Sequence, residues 1–100
     1  FNETFLFAVK IEDSITYMWV YNLASPEKAK KYKYLLKLFS SKTTTLATYT
    51  FEGKVAAIDE TFKDLYEAGK CFGIPCNLFK AQVLDENRDF TLSLLIQSVK

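Results

Sequence analysis

Hydrophobic and polar positions alternate with a period of two through much of the chain. Phe5, Phe7, Val9 and Ile11 interleave with Leu6, Ala8 and Lys10, which predicts a strand with two unlike faces. The polar pair Asp13-Ser14 marks a turn. Beyond it Ile15, Tyr17, Trp19, Tyr21 and Leu23 form one apolar set, with Met18 and Val20 on the opposite face, so the two segments are expected to pair as an antiparallel hairpin. From Tyr32 the alternation returns, with Tyr34, Leu36 and Leu38 on one side and Lys33, Leu35, Lys37 and Phe39 on the other. The polar cluster SSKTTT reads as a loop, and TLATYTF as a fourth strand ended by Gly53.

Between and after these strands the pattern changes. Ser25 suits a helix cap, Pro26 the first helical position and Glu27 the first turn, predicting a short helix. Val55, Ile58, Phe62, Leu65 and Tyr66 have the spacing of one helical face, with Gly69 as the stop; a loop with helical turns would show much the same spacing. Gly73 and Pro75 are expected to break the chain, leaving CNLFKAQVL room for one helical turn and a short extended piece. Asp85 to Asp89 reads as a solvated turn that delivers the last strand, Phe90 to Val99, into the centre of a sheet, covered on both sides for part of its length. No repeat, low-complexity tract or linker interrupts the hundred residues, which suit one domain.

Composition sharpens this only in places. Sixteen per cent aromatic residues beside one Met and three Gly favour a stiff interior built from strands. Thirteen basic and twelve acidic side chains leave a net charge of +1, which points to neither nucleic acid nor an anionic membrane. No apolar run reaches the roughly 20 residues of a membrane-spanning helix, and the first nine residues lack the basic lead and small-residue exit of a secretory signal. The chain begins at Phe1, as a fragment of a longer protein would. Cys71 and Cys76 are too few for a disulfide framework, and with no His in the chain they have no zinc-ligand partners; reduced, buried thiols are the expectation, in a cytoplasmic or nuclear setting.

Candidate chemistry is sparse. Without His the usual general base and metal ligand are both missing. Asp59-Glu60 and Asp85-Glu86 are adjacent pairs, and neighbours in sequence do not face one another on a helix or strand. Cys71 has only Lys70 nearby to lower its pKa, and burial would raise it. The turn sequence LDENRDF lacks the glycine and alternating oxygen ligands of a calcium loop. The sequence therefore predicts a non-catalytic module with no metal and no cofactor of its own. One stretch, KAKKYKY, sets Lys28, Lys30, Lys31 and Lys33 beside Tyr32 and Tyr34; it reads either as a phosphate-and-base platform or as a solvated lysine face, and the near-zero net charge favours the latter.

The stretch FGIPCNLFKAQVLDENRDFTLSLLIQSV resembles the C-terminal part of TRAF-like (MATH-type) domains: a glycine, an apolar anchor, an acidic turn and a strand alternating Thr, Leu and Ile. ETFLFAVKIED, ITYMWVYNLASPEKAKKYKYLLKL and LATYTFEGKVAAI are most similar to the substrate-binding domain of the Seven-in-absentia (Sina/Siah) ubiquitin ligases. That resemblance spans nearly all of the chain and implies an eight-stranded antiparallel β-sandwich that binds substrate or adaptor peptides. It also implies frequent dimerisation, and a place after RING and zinc-finger domains, which would carry the zinc. The first one or two strands of such a domain, where part of the family's peptide groove lies, have no counterpart here. The expected fold is thus mainly β, an antiparallel sandwich with one or two short helical segments. The expected function is recognition of protein or peptide partners for a RING-type ligase, with a MATH-type adaptor or a small RNA-binding β domain as alternatives. Tyr17, Trp19 and Tyr21 are candidates either for peptide pockets or for the sandwich core, and Met18 and Val20 for an outward strip suited to a dimer contact.

Overall fold

A computed structural model describes residues 3–40 and 47–99. Seven strands and three short helices follow in the order β1 (Phe5–Glu12), β2 (Ile15–Asn22), α1 (Pro26–Ala29), β3 (Tyr32–Phe39), β4 (Ala47–Lys54), β5 (Ala56–Ala57), α2 (Phe62–Glu67), β6 (Phe72–Pro75), α3 (Cys76–Gln82) and β7 (Leu92–Ser98). The expected loop at SSKTTT lies almost wholly outside the described residues.

The β1–β2 hairpin pairs Glu12 with Ile15, so its loop has two residues. Both Asp13 and Ser14 take left-handed φ values, 52° and 65°. This is the backbone that matches the right-handed twist of the flanking strands. The Ser14 carbonyl accepts a 2.8 Å hydrogen bond from the Cys76 amide, which ties the hairpin tip to the start of α3.

Two sheets form the sandwich. In one, β2 is central: β1 runs antiparallel along one side, while β6 and the two-residue β5 share the other, β6 antiparallel and β5 parallel. In the other sheet β3 is central between β4 and β7, all antiparallel. The fold is mainly β, as expected, and it departs from a purely antiparallel plan at β5. Among the described residues the last strand is an edge, not a centre. Its neighbour on one side is β3, its alternate residues Leu92, Leu94 and Ile96 face inward half-buried, and Leu95 is exposed.

The interior is built from the even-numbered residues of the two central strands. Met18 and Val20 of β2 meet Tyr34, Leu36 and Leu38 of β3, joined by Val55, Ala57, Ile74, Phe79 and Val83. The outward orientation expected for Met18 and Val20 is therefore reversed: both are 0% exposed. The large odd-numbered aromatics of β2 take the outer face. Aliphatic side chains fill the space between closely stacked sheets without a polar atom to satisfy, whereas Tyr and Trp carry one that is better placed near water. Tyr34 is the exception that meets this demand. Its buried hydroxyl donates to the Lys70 carbonyl at 2.7 Å, burial raises its pKa, and its ring lies against Gly53, where any Cβ would approach the Tyr34 Cζ to 2.9 Å.

The segment read as one helical face divides in two. The Val55 amide donates to the Tyr32 carbonyl at 3.2 Å, Ala56 and Ala57 then run alongside Tyr21 and Asn22, and the helix begins only after Thr61, whose hydroxyl accepts from the Asp64 amide at 3.2 Å. Val55 and Leu65 are buried, but Ile58 and Tyr66 are exposed. Likewise the expected break at Gly73 and Pro75 is strand β6, and α3 runs for seven residues with no extended piece after it. Phe79 and Val83 anchor α3 to the core. The Asp85 turn forms as expected: Asp85 Oδ1 accepts from the amides of Asn87 and Asp89 at 2.8 and 2.9 Å.

At the start of the described chain Glu3 is held beside Tyr32, Lys28 and Asn22. The Tyr32 hydroxyl bond is the main influence that brings its carboxyl below the ordinary value of 4.5, with Lys28 Nζ 3.6 Å away adding to it against the opposing effect of desolvation. Such a carboxylate stabilises the fold fully above its unfolded pKa, and the contribution is lost as pH falls through the depressed folded value. Glu3→Gln is expected to lower stability at about pH 7 and to make little difference at about pH 3, as read by urea unfolding at each pH. Met18→Ala is expected to cost about 2 to 5 kcal/mol in the same assay without changing the oligomeric state, because the side chain fills the core.

Candidate functional site

The outer face of the first sheet carries Leu6, Ala8, Lys10 and Glu12 from β1 opposite Tyr21, Trp19, Tyr17 and Ile15 from β2. Helix α2 packs onto one end of it. Thr61 starts this helix, and Gly69, with φ of 69°, ends it: the Lys70 amide reaches back to the Leu65 carbonyl at 2.9 Å and the Gly69 amide to Tyr66 at 3.2 Å, a closure that places a left-handed residue just past the last turn. Phe62 and Tyr66, one turn apart, face the same way, with Leu65 turned into the protein.

Four rings gather there. Tyr17 meets Phe62 edge-on at 4.8 Å and Tyr66 at 5.8 Å with a 90° interplanar angle. Trp19 lies 5.7 Å from Phe62, and Phe62 6.3 Å from Tyr66. Tyr17 is seated by the strand on its other side. It pairs with Gly73 of β6, where an added Cβ would stand 2.9 Å from Tyr17 Cε1, so the absence of a side chain makes room for the ring.

Two shallow hollows flank this cluster. One, of about 390 Å³, is lined by Glu12, Asp13, Tyr17, Phe62, Lys63 and Tyr66. The other, of about 280 Å³, lies on the far side of Tyr17 and Tyr66 against Ile15, Cys71, Gly73 and Pro75. The Tyr17 hydroxyl titrates above its usual value, chiefly through desolvation and then through the nearby charges of Tyr66, Cys71, Glu12 and Asp13. Lys10 Nζ sits over the Phe62 ring, 4.6 Å from its centroid.

The second notable feature is β1 itself. It pairs with β2 along all eight residues, and among the described residues no strand pairs with its other side. Val9 and Ile11, which belong to the inner face, are 50% and 68% exposed, and Leu6 on the outer face is 40% exposed.

Of the five residues singled out in the sequence, the structure brings Tyr17 and Trp19 into the ring cluster and leaves Tyr21 half-buried farther along the same face, while Met18 and Val20 belong to the interior. The basic segment is dispersed. Tyr34 is buried, Tyr32 packs edge-on against Phe5 at 5.0 Å, Lys28 pairs with Glu3 and Lys33 with Glu52 at 3.2 Å. Glu60 is occupied by Lys70 and by the Ala57 amide. Cys71 and Cys76 are free thiols, half-buried where full burial was expected; desolvation raises the Cys71 thiol, and Cys76 Sγ lies 3.2 Å from Thr16 Oγ1. Among the described residues no group of three or more His, Cys, Asp or Glu is arranged to hold a metal ion, and no helix is long and apolar enough to cross a membrane.

Phe62, Tyr66, Lys10, Glu12 and Asp13 were not singled out from sequence as site residues. The signal for the first two was the Thr61-x-x-Asp64 start, which shortens the helix and turns its aromatic pair toward β2. Comparison with protein-family models, curated protein sequences and solved structures finds no match.

Gly73→Ala is expected to destabilise the protein by about 1 to 3 kcal/mol, since Tyr17 is wedged between Gly73 and the α2 rings and has little room to yield. Thermal unfolding measures the loss, and a changed near-ultraviolet circular dichroism spectrum reports the displaced rings.

Proposed function

We propose that this chain is a non-catalytic protein-interaction domain that takes an extended segment of a partner protein as an added strand along β1. The observation that carries this reading is that, among the described residues, no strand pairs with the outer side of β1 from Leu6 to Glu12, where Leu6, Val9 and Ile11 are exposed. Edge strands are usually guarded by proline, bulges, short length or charge. β1 has no proline, no register shift and full length, and its two charged residues, Lys10 and Glu12, lie on the outer face and leave the inner face of the edge aliphatic. An incoming strand would lie about 4.8 Å from β1 and take main-chain hydrogen bonds from it. Its alternate side chains would cover Val9 and Ile11 on one face and lie beside Ala8 and Lys10 on the other, so the fitting partner segment has aliphatic residues at every second position.

The narrower reading, substrate recognition for a RING-type ubiquitin ligase, is proposed on the sequence resemblance to Seven-in-absentia domains, and sequencing the full-length transcript for an upstream RING decides it.

Selection from a displayed peptide library tests the binding mode. Binders are expected to slow amide exchange across Phe5–Glu12. Val9→Lys combined with Ile11→Lys, at positions exposed enough to leave the fold intact, is expected to weaken them by at least about tenfold. Binders that leave β1 exchange unchanged, or that bind the double variant equally well, would show that the edge is not the site.

A further inference from the structure

The larger hollow beside the four-ring cluster has a chemistry of its own. Its lining combines the rings of Tyr17, Phe62 and Tyr66 with Glu12, Asp13 and Lys63. Neither carboxylate forms an ion pair among the described residues. Lys10, which does not line the hollow, holds its ammonium group over the Phe62 ring, so one of the cluster's rings already carries a cation. Aromatic faces bind cations through the ring quadrupole, most strongly where several rings and an acidic rim surround the charge. The volume, about 390 Å³, lies in the range of small-ligand sites, roughly 300 to 1,000 Å³.

We propose that this hollow is a binding site for a cationic group carried on a protein side chain, an alkylated ammonium or a guanidinium, held against the exposed surfaces of the Tyr17, Phe62 and Tyr66 cluster with Glu12 and Asp13 as counter-charges. The site rests on the binding role proposed above for its biological use, but it does not depend on strand addition, since its walls come from β2, α2 and the hairpin turn. Lys10, over the Phe62 ring, and Lys63, in the lining, both oppose the ligand by charge.

Nuclear magnetic resonance titration of the whole chain, at constant ionic strength, tests this with tetramethylammonium and guanidinium ions as probes and neopentyl alcohol as a neutral probe of similar shape. The expected result is saturable movement of the Tyr17, Phe62 and Tyr66 ring resonances with at least one cation and little with the alcohol; which cation binds more tightly distinguishes an ammonium from a guanidinium ligand. Asp13→Asn, tolerated at a left-handed φ, combined with Glu12→Gln should weaken binding by about threefold or more, and Lys10→Met should strengthen it by a similar factor. Opposite effects from removing an acid and removing a base are not produced by a general loss of structure. A neutral edge variant, Val9→Asn with Ile11→Asn, should keep cation binding, which separates failure of this site from failure of the β1 edge. Equal response to neopentyl alcohol, shifts confined to other residues, or indifference to the Glu12 and Asp13 changes would overturn the proposal.

Discussion

The structure depends on the two-sided burial of β2. One face of this strand supplies Met18 and Val20 to the space between the sheets, and the other seats Tyr17 beneath α2. Burial of a side chain of Met or Val size contributes about 1.5 to 3 kcal/mol, so the inner pair alone is a large fraction of the stability usual for a domain of this length. The register that places them inside also fixes what lies outside. A one-residue slip would exchange the two faces completely, burying three large rings and exposing the aliphatic pair.

That constraint propagates in both directions along the chain. On the C-terminal side β6 must lie flat enough against β2 for the Tyr17 ring to cross it, and Gly73 allows this. The Cys76 amide then closes on the Ser14 carbonyl, so α3 begins where the hairpin turns. On the other side the strand pairing of β1, among the described residues, is with β2 alone. Its inner residues Phe5 and Phe7 reach the core, but Val9 and Ile11 extend past it into solvent. The hollow and the open edge therefore arise from the same arrangement: β2 is covered on both faces, and the hairpin tip projects beyond the layer that would cover it.

Much of the local structure was legible in the residues. The alternation from Phe5 to Phe39 located three strands, the Asp13-Ser14 pair gave the turn, Ser25-Pro26 the first helix, and the polar run from Asp85 to Asp89 the last turn, because each signal acts between neighbours within a few residues. The sequence misled where local and long-range demands diverge. Ala56 and Ala57 have no strand propensity to speak of, yet pair with β2 because the chain must cross from one sheet to the other there. Gly73 and Pro75 look like breakers, yet lie in β6, where the ring of Tyr17 takes the place a side chain would fill.

The sequence by itself determined that this is a β-rich domain of paired strands, and it limited the chemistry by withholding histidine. Period-two patterning carries that information because side chains alternate across any strand, whatever it packs on. Only the tertiary structure decided which face of each strand is inside, which strands are edges and which distant residues share a site. Either face of β2 is apolar enough to be buried. The choice between them was made by what the second sheet and α2 bring against them, and that depends on contacts between residues far apart in the chain.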